Sequence, residues 1–374
     1  MTGNKPLHTS GFRVAIPRWE LRDEIAFMIG SELKLLGHKP VYFFFYEDVP
    51  EAVDILLTFG PYGKILPIWQ QAATRDQEIR PITIHWNTEG LPDLRIPPRM
   101  VDKLGSWRSR IGRLSYSRSS ITRGLSRTPP LALSDRIFFR YRYYGDYQYA
   151  YERGWLNLLF DTSEIYTKIR SKSGLPTLYA PWGASTYWYK DLNLKRDIDV
   201  LWMGIRGTRR RSQILDRVTK ELGPHGVTFH IADNQQNPFI FGDLRTRYLN
   251  RAKITLNITR TWYDDNFSRF VLAAPNRSLI VSEPVLPHCS EFQKDVHYVS
   301  AEIEDLSKTI LYYLQHEEER QQIVESAYQF VTEELQFSKI LEYMLQFALR
   351  EGAQETAQAE RKSPLQKGLG QEAH

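Results

Sequence analysis

The chain has 374 residues, enough for two domains that each bury a hydrophobic core. Hydrophobic residues make up 42% and charged residues 25%, which excludes a disordered chain and is ordinary for a globular protein. The single cysteine, Cys289, excludes a disulfide framework or a cysteine metal cluster and fits a reducing compartment. A net charge of +5 favours an anionic partner: phosphate, nucleic acid or a membrane surface.

Met1–Val14 lacks the apolar core of a signal peptide, and no apolar run reaches the roughly 18 residues of a spanning helix. We therefore expect a cytoplasmic protein that is at most peripheral to a membrane.

Strand and helix patterns alternate in the first half of the chain. Apolar runs predict strands at 12–17, 39–46, 54–59, 80–86 and 158–161. Helical spacing predicts helices at 21–36, 65–73 and 164–173, and a further apolar segment lies at 175–180. This alternation predicts a parallel, doubly wound sheet, a Rossmann-like domain over residues 1–184. Ligands bind beyond the carboxyl ends of such strands, which indicates the loops 18–24 and 85–90.

The segment Lys103–Arg127 interrupts this pattern. It carries basic residues among serines and glycines and has no acidic residue. A solvated surface loop is one interpretation, and a mobile arm that contacts phosphates or an anionic lipid surface is the other. We treat residues 103–128 as a basic insertion. The aromatic stretch Phe138–Tyr151 predicts a helix, either at an interdomain cleft or in the core.

A second alternating run follows a polar linker at 185–196, and its central stretch is Asp197–Leu215. There an apolar strand pattern ends in Gly204-Ile205-Arg206-Gly207, and a basic helix start follows. Backbone N–H groups, a helix N-terminus and arginines in one turn suit a phosphate, although an ordinary βα unit has the same pattern. Neither standard nucleotide fingerprint is present.

The second run predicts a Rossmann-like domain over residues 197–334, a closing helix at 335–351 and a disordered tail at 352–374. The predicted fold class is therefore α/β, with two doubly wound domains facing a cleft.

From Lys253 onward the residues resemble a known family. The strand Ala252–Asn257 leads to a helix with Arg269 and to a second strand that ends in Val281-Ser282-Glu283. These motifs, and the later 304–306 and 312–320, resemble the donor side of bacterial GT-B-fold glycosyltransferases, closest to the CgeB-like (spore-maturation-protein-like) group. The resemblance covers roughly residues 161–334.

The resemblance implies that the C-terminal domain binds a nucleotide-diphosphate sugar as co-substrate, with no metal or other cofactor. The implied donor-binding residues are Gly204, Arg206, Arg209, Asn257, Asp264, Arg269 and Glu283, with Arg210 as a further cation. Where related retaining enzymes place a second glutamate, this chain has Leu272, which cannot accept ribose hydroxyls. Glu283 is the alternative acceptor for them.

Sugar transfer with inversion needs a general base from the N-terminal domain, whereas retention needs none. Glu20 follows the first predicted strand, and His85 and Glu89 end the fourth. We name these three as catalytic candidates. Asp23 lies in the same loop as Glu20, and we interpret it as an acid that complements a helix dipole.

Three functions stay open from the sequence. The first is a glycosyltransferase that acts on a polysaccharide, glycolipid or protein. The second is a transferase that modifies a nucleic-acid base, with Lys103–Arg127 following the phosphate backbone. The third is a catalytically inert GT-B scaffold that binds a sugar or a partner protein, which Leu272 favours.

Overall fold

A computed structural model describes residues 11–20, 23–60, 65–88, 95–114, 139–185, 187, 189–262, 267–286 and 289–362. For 114, 139–142 and 351–362 it describes the backbone alone. The described residues form two parallel sheets, one in each half of the chain. No helix in these ranges is both long and apolar enough to cross a membrane.

The N-terminal sheet has six parallel strands in the order β2-β1-β3-β4-β5-β6. The strands are β1 (Arg13–Arg18), β2 (Lys39–Phe44), β3 (Ile55–Phe59), β4 (Ile82–Asn87), β5 (Leu158–Asp161) and β6 (Thr177–Tyr179). Among the described residues of this domain, five helices accompany them: α1 (Glu24–Leu35), α2 (Ile65–Ala73), α3 (Pro98–Leu114), α4 (Phe139–Glu152) and α5 (Glu164–Lys172).

Alternation along β1 divides the core of this domain into two layers. Val14 and Ile16 pack with Leu33 of α1 on one face, whereas Ala15 packs with Trp69 of α2 and Tyr147 of α4 on the other. Successive side chains of a strand point to opposite faces, so each face must be covered by helices. The result is a three-layer α/β/α domain.

The C-terminal sheet has five parallel strands in the order β11-β10-β9-β7-β8. The strands are β7 (Ile198–Met203), β8 (Phe229–Ala232), β9 (Ala252–Asn257), β10 (Leu279–Ser282) and β11 (Val299–Ser300). The helices are α6 (Arg209–Leu222), α7 (Gly242–Arg251), α8 (Ser268–Ala273), α9 (Leu306–Gln315), α10 (Glu317–Glu333) and α11 (Phe337–Lys362), with short 3₁₀ turns at Gly223–His225 and Ala274–Asn276.

In this sheet the strand order reverses between β7 and β9, which pair directly. A reversal of this kind opens a crevice at the carboxyl ends of the two strands, because their connections leave on opposite faces. The β7–β9 edge is therefore the place where this domain is built to hold a ligand.

Within the described ranges the chain crosses between the domains twice, and the crossings contact each other. Ala184 N–H donates to Leu335 O at 2.8 Å, and Phe337 N–H donates to Ala184 O at 3.0 Å. The Phe337 ring then packs on Trp86 and Trp182, with centroids 5.5 and 5.7 Å away. Helix α11 consequently belongs to the N-terminal domain, and its Leu341 and Leu345 join that core.

The predicted fold class, two Rossmann-like α/β domains, is confirmed. Three elements differ from expectation. Residues 98–114, which include the start of the basic region, form a helix whose Gly105 lies against Gly145 of α4, while 115–127 lie outside the described residues. Strand β11 is too short for a periodic signal. Helix α11 continues to Lys362, since 352–362 are rich in the helix formers Ala, Glu and Gln.

Candidate functional site

The turn after β7 lies at the switch point of the C-terminal sheet. Gly204 has a φ of 138°, a conformation that L side chains rarely adopt. Thr208 caps α6, and its hydroxyl accepts a hydrogen bond from Arg211 N–H at 3.2 Å. The helix that begins here has 14 residues. The turn therefore combines exposed backbone with the positive end of a helix dipole, a combination that suits an anion.

Arg269 extends from α8 into this turn. Its Nε donates to Met203 O at 2.9 Å, and its Nη1 donates to Asn257 Oδ1 at 3.0 Å. A Cβ atom placed on Gly204 would lie 2.7 Å from Arg269 Nη2. Glycine at 204 is thus what allows the guanidinium to approach the turn. Both acceptors are neutral, so neither of these bonds offsets the positive charge.

Asn257 orients Arg269 from the end of β9. The residue is fully buried, and its Nδ2 donates to Ser282 Oγ at 2.9 Å while its Oδ1 accepts from Arg269. The amide has no freedom to rotate without losing both bonds. The structure thus places Arg269 in hydrogen-bond contact with Asn257 and close to Gly204.

Glu283 ends β10 beside this group and is already engaged. It is 2% exposed and accepts from Thr259 N–H at 2.6 Å. Arg210 of α6 donates to both carboxylate oxygens, with Nη1 3.1 Å from Oε1. The carboxylate therefore anchors Arg210 and the loop after β9. In this arrangement it does not offer its oxygens to ribose hydroxyls, the role that the sequence suggested for it.

Arg206 and Arg209 occupy different positions from Arg269. Arg206 Nε lies 2.7 Å from Asp233 Oδ2, and its Nη1 lies 2.6 Å from Asp216 Oδ1. Burial disfavours ionised Asp233, but hydrogen bonds from Arg206 and two backbone N–H groups outweigh it and lower the pKa of this carboxyl. Two carboxylates thus offset the Arg206 charge, which ties β8 to α6. Arg209 is exposed in the first turn of α6.

Arg211, which is not among the donor-binding residues that the resemblance implied, lies beneath the same turn. It is 2% exposed, its Nη1 donates to Ile205 O at 2.9 Å, and its Cζ lies 6.0 Å from the Trp202 ring centroid. Arg269 Cζ lies 5.4 Å from the same ring. An arginine on the apolar face of α6, in phase with Ile214, Leu215 and Val218, was the signal that could have revealed it.

Among the N-terminal candidates, Glu20 is exposed at the bend after β1, at the carboxyl edge of its sheet. Asp23 caps α1: its Oδ1 accepts from Ala26 N–H at 3.1 Å and its Oδ2 from Trp19 N–H at 3.0 Å. Glu89 of the N-terminal domain and Asp264 of the C-terminal domain lie outside the described residues. The described part of the chain contains no group of three His, Cys, Asp or Glu side chains that could hold a metal ion.

His85 is not placed to act as a general base. It is fully buried, with Nδ1 2.9 Å from Thr58 Oγ1 and Nε2 3.0 Å from Tyr147 Oη. Burial and then the nearby Arg170 charge lower the pKa of His85 to about 3. The strand pattern placed His85 at a strand end, but its side chain points inward, against α2 and α4, where an acceptor hydroxyl cannot reach it.

Comparison with known proteins adds to this geometry. Residues 209–346 match the family described as "Glycosyl transferase-like". Sucrose-phosphate synthase from Thermosynechococcus elongatus has a similar structure, with a TM-score of 0.54 at 10% identity over 91% of this chain and 99% of that one. HepE from Anabaena, in complex with UDP and glucose, gives 0.53 at 7% identity over 90% and 99%. A comparison with curated protein sequences finds no match.

The two similar structures extend over both domains, so the likeness concerns the whole two-sheet architecture. At these identities it establishes the fold. The family match extends from the start of α6 into the first part of α11, and this part of the chain carries Arg210, Asn257, Arg269 and Glu283. Over residues 209–346 this chain is thus similar to a glycosyltransferase-like family, and it shares its two-domain fold with both solved structures.

Proposed function

We propose that this enzyme transfers a sugar from a nucleotide-diphosphate sugar, bound by the C-terminal domain, to an acceptor bound by the N-terminal domain. The approach of Arg269 to Gly204 at the β7–β9 edge is the observation that carries the proposal. It fixes a full positive charge beside a helix N-terminus, where the diphosphate of such a donor fits.

Leaving-group stabilisation is the chemistry that this site can supply. As the bond between the sugar and the diphosphate of the donor breaks, negative charge develops on the diphosphate. Cations held rigidly in a buried site stabilise such charge without reorganising at the moment of reaction. Arg269 and Arg211, both nearly buried at the turn, have that character, and Arg210 stands at the edge of the site. We propose on these grounds that transfer needs no metal ion.

For the donor base we propose uracil first. The similar HepE structures contain UDP with glucose, or UDP-glucose. We propose that the acceptor is a polysaccharide, glycolipid or protein. Within the described residues, Glu20 is the candidate base that would deprotonate it. Membership in the CgeB-like group stays part of this proposal, carried by the motifs at 252–257, 269 and 281–283.

The inert-scaffold alternative has its own observation. Leu272 is half-buried against the core, and Glu283 is held by Arg210 and Thr259. Neither is placed to accept ribose hydroxyls. Slow release of free sugar from UDP-glucose in the absence of an acceptor would exclude an inert protein.

We expect the free enzyme to be stabilised by one nucleotide family. Thermal unfolding would be followed with UDP, GDP, CDP, ADP and dTDP. A ligand at about 100 times its Kd adds roughly 2.7 kcal/mol, which raises Tm by several degrees in a domain of this size. A shift with UDP alone would support uracil. Equal small shifts with all five would indicate non-specific anion binding, and no shift would favour the inert scaffold.

We also propose that the exposed face of α3 contacts an anionic membrane, which would bring the enzyme to a lipid-linked acceptor. Met100 is 53% and Trp107 46% exposed, and the two lie two turns apart on one helix face. Arg99, Lys103 and Arg110 are exposed along the neighbouring stripe. Apolar side chains beside basic ones are typical of helices that lie in a membrane interface. If a nucleic acid is the anion instead, binding to duplex DNA should fall steeply with salt.

The membrane proposal predicts selective binding to charged vesicles. The wild-type protein should co-sediment with vesicles containing phosphatidylserine and not with neutral phosphatidylcholine vesicles. Reversing Lys103→Glu and Arg110→Glu removes two attractive charges, each contributing about 1 kcal/mol, so partitioning should fall about thirtyfold or more. The control Lys220→Glu with Lys294→Glu changes net charge equally in the other domain. Equal loss in both double variants would show that global charge, not α3, is responsible.

A further inference from the structure

Helix α7 is capped by a residue of the other domain. Its own N-cap position is Phe241, whose side chain has no hydrogen-bond acceptor. The first helical N–H, that of Gly242, donates instead to Glu24 Oε1 of α1 at 2.9 Å. Carboxylates are favoured at helix N-termini because they meet both unpaired N–H groups and the positive dipole end. Here that acid comes from 218 residues away in sequence.

A second contact strengthens the same bridge. Arg245, one turn into α7, places Nη2 2.8 Å from Glu24 Oε1. Its guanidinium also donates to Tyr189 Oη in the interdomain linker and lies 5.0 Å from the Tyr189 ring. The Arg245 side chain is 13% exposed and that of Glu24 27%, so water screens this ion pair only in part. One carboxylate thus joins the N-terminal domain, the linker and the C-terminal domain.

The location of the bridge connects it with the proposed reaction. Helix α1 follows β1 and α7 follows β8, so both helices begin at the carboxyl edges of their sheets. These are the edges where doubly wound domains hold ligands. The two crossings of the chain hydrogen-bond to each other at Ala184 and Leu335. At the ligand-holding edges, by contrast, side chains make the contacts between the two domains. A further side-chain contact, Arg95 Cζ over the Trp262 ring at 5.7 Å, also joins the two domains.

We propose that Glu24 is a positioning residue that holds the donor and acceptor domains in the arrangement needed for sugar transfer, by capping α7 and pairing with Arg245. The role in transfer rests on the function proposed above. Transfer between two domains requires the reacting groups to be held within contact distance, and small changes in that geometry cost rate steeply. Glu24 contacts neither Arg269 nor Arg211, the arginines proposed to bind the diphosphate, so it acts by holding the two domains in position.

The test is X-ray scattering of the ligand-free protein, with hydrogen exchange of α7 as a second measurement. In Glu24→Ala we expect a larger radius of gyration and exchange of the first-turn amides of α7 about tenfold faster or more. Glu24→Gln keeps an acceptor for Gly242 N–H but loses the charge, so its effect should be intermediate. Arg245→Met should also open the domains, and the double variant should open no further than Glu24→Ala alone.

Glu317→Ala is the matched control, because Glu317 also lies in the first turn of a helix and pairs with Arg320 of that same helix. Scattering unchanged in Glu24→Ala, or equally changed in the control, would overturn the proposal. The UDP-induced Tm shift separates the two hypotheses. A wild-type shift retained in Glu24→Ala alongside domain opening supports a positioning role. If the wild type shows no shift, the role in transfer is overturned, whatever the scattering shows.

Discussion

Replacing Arg269 by methionine should weaken UDP binding by roughly tenfold to a hundredfold, the equivalent of about 1.5–3 kcal/mol for a charged hydrogen-bond donor. Methionine fills much of the same volume but removes the charge and leaves Met203 O and Asn257 Oδ1 without this donor. Arg269→Lys keeps the charge and loses the planar fork, so affinity should recover in part. Calorimetric titration with UDP measures both variants.

Loss of fold must be distinguished from loss of the site. Arg206→Met offers the comparison, because Arg206 is buried to a similar degree but already pairs with Asp216 and Asp233. It should lower stability and change UDP affinity less than Arg269→Met does. If the two variants lose the same affinity at equal stability, Arg269 has no special place in the site.

The neighbouring glycine provides a second way to displace Arg269. Gly204→Ala would put a methyl group 2.7 Å from Arg269 Nη2. Gly207→Ala, in the same turn, also strains a positive φ, of 60°, but meets only ordinary contacts from 3.6 Å outward. UDP affinity should therefore fall in Gly204→Ala and stay near the wild-type value in Gly207→Ala. Equal losses would attribute the effect to backbone strain.

Acidification should destabilise the N-terminal domain through His85. Its pKa is about 3 in the folded protein, against an ordinary value of 6.5 in the unfolded chain. Between these values the unfolded state binds more protons, so stability is complete above pH 6.5 and declines as the pH falls toward 3. From pH 7 to pH 5 the free energy of unfolding should drop by about 2 kcal/mol through this group.

Urea unfolding of the wild type and of His85→Gln, at both pH values, measures this contribution. The variant loses bonds to Thr58 and Tyr147, so it should be less stable at pH 7, yet its stability should depend less on pH. His225→Gln is the control, because His225 is exposed. A variant that keeps the full pH dependence of the wild type would show that His85 is not the group responsible.

The alternation of strands and helices was predictable from the sequence, because short apolar runs and helical spacing of apolar residues are local properties of the chain. The family resemblance implied that Gly204, Asn257 and Arg269 belong to one donor site, and in the structure the three lie close together. The sequence could not assign charge partners. Whether Arg206 faces a phosphate or Asp233 depends on the conformation of the loop after β8, which no local pattern encodes.

His85 illustrates the same limit in the other domain. Its position at the end of β4 was predicted, but the direction of its side chain follows from the register of the sheet and from α4, which packs on it from 62 residues away. Glu24 is a further case. It lies in the first turn of α1, yet its carboxylate accepts a hydrogen bond from the first N–H of α7 in the other domain, a long-range contact that no local pattern encodes.

The path of α11 has a consequence for biosynthesis. Because this helix covers the sheet built by β1 to β6, the first domain is assembled from two stretches with the whole second domain between them. A ribosome must therefore release more than 330 residues before the apolar face of the first sheet can be sealed. Until α11 is synthesised, the side of Trp86 that Phe337 covers stays exposed. The second domain lies before α11 in the chain, so it can fold before the first domain is complete.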